Sequence, residues 1–79
     1  MAVKVGDIVE LVSDLSPPEQ PYWWEGKGIL LSMDEHTVDL HMFFLNKISK
    51  KNFSEIYREN TMWTISIDLA TSGFLKYIG

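Results

Sequence analysis

Between residues 37 and 44 apolar and polar side chains alternate without a break: Val38, Leu40, Met42 and Phe44 fall on one side, and Thr37, Asp39, His41 and Phe43 on the other. A period of two puts each set on its own face of an extended chain, and only a strand with one face on a core uses such a pattern. Residues 28–33, GILLSM, repeat it with Ile29, Leu31 and Met33 opposed to Leu30 and Ser32. The Asp34-Glu35-His36 turn between them makes the pair a hairpin.

The other segments follow from that hairpin. Residues 5–12, VGDIVELV, open on a Gly-Asp turn signal and then alternate, which predicts a first strand. Residues 61–67, TMWTISI, are rich in β-formers and predict a fourth strand carrying Trp63, Ile65 and Ile67. Residues 68–73 read as one helical turn, with Asp68 as its cap and Gly73 as its stop, before a last short strand at 74–78. In residues 46–60, NKISKKNFSEIYREN, a cap at Asn52 with Glu55 three residues on predicts a short helix whose Phe53, Ile56 and Tyr57 share a face. The competing reading of that stretch is an extension of the hairpin.

The 79 residues make one domain, and at that size folding hides only about 60–65% of the unfolded chain's surface. Ten aromatic residues and 46% apolar content are enough to build one core. The absence of cysteine removes disulfides and thiolate metal sites as supports, and a reducing cytoplasm is the expected setting. Lys4 and Asp7 interrupt the apolar stretch a signal peptide needs, and the longest apolar run, Met42 to Leu45, is far too short to cross a membrane.

Charge is uneven. Residues 1–45 hold two lysines against eight carboxylates, a balance of −6, and residues 46–79 hold five cations against three carboxylates, a balance of +2. Nucleic-acid binding requires clustered cations. Lys47, Lys50 and Lys51 form the one basic spot where such contact is conceivable, although the net charge of −4 disfavours it.

The segment PPEQPYWWEGKG, residues 17–28, is read as a long aromatic loop after the first strand, stiffened by Pro17, Pro18 and Pro21. Along an extended backbone Trp23 and Trp24 project to opposite sides, so both cannot enter one small core. At least one indole is expected partly outside. With Tyr22 they form a candidate patch for a protein partner or for self-association. Gly26 and Gly28 around Lys27 read as turn punctuation.

Five short strands, a long loop after the first, a tight turn between the second and third, and a helical turn before the fifth resemble an SH3-like barrel. The opening VKVGDIVELV is similar to the V-x-x-G-D-x-V start of KOW and Tudor-type members. In size and composition the chain also resembles small uncharacterised barrels of marine phages and environmental sequences. The Tudor resemblance implies an aromatic cage for a methylated ammonium, begun by Tyr22, Trp23 and Trp24. Met42 and Leu45 stand where the remaining rings belong, with Phe43 and Phe44 beside them. The KOW resemblance implies nucleic-acid contact through residues 47–51.

Asp39 and His41 share a strand face with Asp34 and His36 in the adjoining turn, a spacing compatible with a metal but accounted for by a solvated face. No Ser-His-Asp arrangement, phosphate-binding glycine loop or metalloprotease motif occurs. The expectation is a non-enzymatic binding or assembly module, without metal or cofactor.

Overall fold

The computed structural model describes residues 3–13 and 18–79. Its strands are β1 (Ile8–Leu11), β2 (Tyr22–Met33), β3 (Thr37–Ser49), β4 (Glu55–Ser66) and β5 (Leu75–Tyr77). Between the last two, a short helix α1 (Ile67–Leu69) runs into a wide helical turn at Ala70–Phe74. The strands form one antiparallel sheet in the order β4-β3-β2-β1-β5.

The alternation in β3 is used as its pattern demands. Val38, Leu40 and Met42 are buried, and they meet Val9 and Leu11 of β1, Leu30 of β2, Ile65 of β4, Leu75 of β5, and Ala70 and Phe74 of the helical turn in one core. Phe74 is the largest side chain with no exposed surface. The Gly-Asp opening is a turn that anchors the chain start: Gly6 has φ 94°, and its amide donates to the Leu30 carbonyl. Buried Asp7 accepts from the Lys4 amide at 2.9 Å.

The sheet is open. β4 and β5 are its two edges, and it is not closed into a barrel. The strand lengths explain this: β5 has three residues and pairs only with β1, which has four, while β2, β3 and β4 have twelve or thirteen. The end of the core is covered by Ala70 and Phe74 from the helical turn, not by a strand joining the edges.

Three elements differ from the sequence reading. Residues 46–60 contain no helix: β3 runs on to Ser49 and β4 starts at Glu55, so the hairpin extension is the outcome. Asn52 does not cap a helix; its side chain accepts from the Ser54 amide and shapes the β3–β4 turn, in which Phe53 has φ 59°. A capping residue and an Asx-turn residue are the same chemical type, so an asparagine at this position fits either pattern. Likewise Ser66, not Asp68, caps α1, accepting from the Leu69 amide at 3.2 Å.

The third difference concerns the aromatic segment. Tyr22, Trp23 and Trp24 are not in a loop but are the first residues of β2, paired with Ser49, Ile48 and Lys47. The strand begins directly after Pro21, whose missing N–H a strand interior would not tolerate. Pro18 and Pro21 remain in the connection, and Pro17 lies outside the described residues. Gly26 and Gly28 are buried inside β2, so they are not turn punctuation. A Cβ at Gly26 would stand 2.5 Å from the Phe44 carbonyl oxygen and 2.9 Å from Met42 Cε. At Gly28 it would meet the His41 carbonyl at 2.5 Å and Met42 Sδ at 2.8 Å. The Met42 side chain thus fills the space left by two absent side chains.

Gly28→Ala is expected to destabilise the fold by about 2 kcal/mol or more, because backbone and a fully buried methionine must both shift. Gly6→Ala, strained only by its positive φ in open space, should cost about 1 kcal/mol. Urea denaturation of the two variants checks the order; equal midpoints would show that Gly28 is not the tight contact described.

Candidate binding surface

β1 pairs with β2 only across Lys27, Gly28 and Ile29. The preceding residues, Tyr22 to Gly26, hydrogen-bond in the sheet to β3 alone, and β3 carries β4 on its far side. These three strands therefore leave the core as a ribbon, and the domain is elongated, 35 × 24 × 19 Å. β3 contributes an extra residue at Phe43, where the β2–β3 register shifts between Lys27 and Gly28, and Asn60 of β4 has φ 50°. A bulge reverses which face each side chain takes. Hence Leu45 and not Phe44 is buried beyond it.

On the face continuous with the core, Trp24 packs on Trp63 with centroids 5.1 Å apart and planes at 39°. Trp63 in turn lies 6.2 Å from Phe74. An aromatic chain thus runs from the ribbon to the centre of the fold. Lys47 places Nζ 4.1 Å from the Tyr22 ring centre and 5.5 Å from that of Trp24. Beside these groups lies a recess of about 230 Å³, walled by Trp24, Leu45, Lys47, Ile56, Arg58 and Trp63 among others.

The opposite face is also aromatic. Trp23 stacks on Phe53 at 5.9 Å, and Phe44 on Tyr57 at 6.0 Å. Asn46 donates to Glu55 at 2.7 Å, and its side-chain oxygen is buried without a hydrogen bond. Partial desolvation against the sheet, and then the neighbouring Glu59, push the hydroxyl of the exposed Tyr57 above its ordinary pKa. A second recess of about 220 Å³ is bounded by Ser13, Trp23, Glu25 and Ile48.

The adjacent tryptophans diverge as extended geometry requires. Each is half-buried, and each is covered on its own side by one aromatic partner, Trp63 for Trp24 and Phe53 for Trp23. Trp63, Phe53 and Arg58 are not among the sequence candidates for the site: residues 55–59 show no apolar–polar alternation, and the helical spacing at 53, 56 and 57 hides the strand there.

The three lysines differ in their surroundings. Lys47 lies on the inner face against Tyr22 and Trp24, whereas Lys50 and Lys51 belong to the β3–β4 turn, with Lys50 Nζ 3.5 Å from the Pro18 carbonyl. So the aromatic and the basic candidates meet at residue 47. Asp39 and His41 are not assembled into a metal site, and no such cluster of three ligands exists among the described residues. Asp39 accepts instead from the Thr64 and Ser32 hydroxyls, at 2.7 and 2.8 Å, and Asp34 from the amides of His36 and Thr37, both at 2.7 Å. His41 contacts Phe43 edge to face. No helix among the described residues is long and apolar enough to cross a membrane.

Comparison with known protein families, with characterised proteins and with solved structures found no match.

Hydrogen bonds to the charged form lower both aspartates below the ordinary carboxylate range: from the Thr64 and then the Ser32 hydroxyl at Asp39, and from the Thr37 and then the His36 amide at Asp34. A depressed folded pKa adds stability above the unfolded value, near pH 4, and that stability is lost as the pH falls through the folded value. Urea midpoints should therefore hold on acidification to about pH 5 and decline below pH 4. Thr64→Val should move the Asp39 titration, followed by carboxyl NMR, back toward the ordinary range; an unmoved titration would remove the assigned cause.

Proposed function

We propose that this chain is a non-enzymatic binding or assembly module of SH3-like topology that engages a protein partner through the inner face of the ribbon. The topology is supported by the meander β1 to β4, the return of β5 to β1 and the helical segment before β5. The binding role rests on one observation: Trp24 and Trp63 stand half-buried at a recess, held in paired strands with a continuous aromatic path to the core. Rings already fixed in place offer contact area at little ordering cost on association.

A methylated ammonium is a poor occupant. The Lys47 ammonium already lies over Tyr22 and Trp24, so the faces that would receive an incoming cation carry an internal one. Stacking of nucleic-acid bases meets a similar obstacle, since Trp24 packs on Trp63 and Trp63 is itself backed by Phe74. A peptide chain, which needs an apolar recess and a few polar contacts at its rim, suits the geometry better.

The test is selection of binders from a displayed random peptide library on the immobilised domain, followed by titration of each binder into labelled protein. Indole N–H resonances of Trp24 and Trp63 are expected to shift, and Trp24→Ala should weaken binding about 30-fold or more, the loss typical of a central aromatic anchor. If no selected peptide moves any indole resonance, the module reading is wrong. If labelled oligonucleotide binds instead and is released by moderate salt, the basic residues around Lys47 carry the function.

A further inference from the structure

β4 is an edge strand of twelve residues, and no backbone hydrogen bond from it to anything but β3 occurs among the described residues before α1. Edges of that length are normally shortened, covered or interrupted by proline, because their free N–H and C=O groups accept another strand. Here the positive φ at Asn60 bends the strand and Glu55, Arg58 and Glu59 put charge on it, while Ile56, Tyr57 and Met62 are exposed along it.

Its two faces differ in charge. Arg58 projects to the recess side, next to Lys47, and neither forms an ion pair with a described carboxylate. Glu55 and Glu59 take the other face with Tyr57. Two cations thus stand beside Trp24, Leu45, Ile56 and Trp63 at one open recess, a charge that a negative group on a partner complements.

From the free edge, the recess and this division of charge we infer that the partner is an extended peptide added as a sixth strand along β4. Its inward side chains alternate an acidic residue, set against Arg58 and Lys47, with an apolar residue entering the recess over Leu45 and Trp63. Its outward side chains are basic or neutral, because Glu55 and Glu59 repel carboxylates there. Main-chain pairing supplies the docking geometry and the two faces supply the selectivity. The inference rests on the ribbon being a peptide-binding surface and adds the edge, the mode and the charge pattern of the ligand.

The probe is a capped peptide of about ten residues, alternating aspartate and leucine at one set of positions with lysine and threonine at the other. A peptide with aspartate and lysine exchanged, leaving composition unchanged, is its control. The probe is expected to bind, to protect alternate β4 amides from hydrogen exchange, and to lose about tenfold or more in affinity with Arg58→Glu, an exposed position where the fold tolerates the change. The exchanged peptide should prefer the Arg58→Glu protein. Binding that leaves β4 amides unprotected, or that is indifferent to Arg58→Glu, overturns the inference while the module reading stands. Binding by library peptides but not by either designed peptide also overturns it, whereas no binding by any peptide ends both. Concentration-dependent dimerisation in light scattering, with β4 protected in the dimer, would replace the peptide with a second copy of the chain and refute the assignment.

Discussion

The close approach of β2 to β3 at Gly26 and Gly28 is the contact on which the rest of the molecule depends. Two missing side chains admit the fully buried Met42 thioether above the β2 backbone, and a methionine can fill so irregular a gap because it is unbranched and flexible. The same place carries the extra residue Phe43 and the register shift. To one side of it β2 contributes Leu30 to the core; to the other it contributes Trp24 to the recess. Any side chain at 26 or 28 would separate β2 from β3 where the sheet passes from domain to ribbon.

That junction also explains which parts of the structure the sequence disclosed. Val38, Leu40 and Met42 lie where every second residue is buried, so their alternation announced β3, and the turn at Asp34 announced the hairpin. Beyond Leu45 no residue of β3, and none of the β4 residues opposite it, is fully buried. Both faces of residues 55–60 are exposed, and with no buried face the alternation loses its apolar-polar contrast. The chance spacing of Phe53, Ile56 and Tyr57 then looked helical. For the tryptophans, local geometry gave their divergence, since that depends only on an extended backbone. It could not give their partners Trp63 and Phe53, which are distant in the chain and are brought near by the register of β2, β3 and β4.

Electrostatics on the ribbon follow from the same bulge. Counted along the chain, Lys47, Lys50 and Lys51 are a basic run, but the strand and turn geometry sends Lys47 inward over two rings and leaves the others at the tip. Arg58, eleven positions from Lys47, shares its face because the β3–β4 register sets Leu45 opposite Arg58 and Lys47 opposite Ile56. The cationic character of the recess is therefore a property of tertiary pairing. A linear charge count assigns it to a different group of residues.

Rigidity decides how far such a recess is useful. A tryptophan in a mobile loop would surrender conformational freedom on meeting a partner, offsetting part of what its contact area contributes. Trp24 and Trp63 have given up that freedom during folding, through pairing with β3 and through the path of rings that ends at Phe74. The domain's stability thus supplies the ordering that binding would otherwise require. It follows that substitutions at Phe74, remote from the surface, act on the recess by loosening Trp63, and that core packing and recognition in this small fold cannot be altered independently.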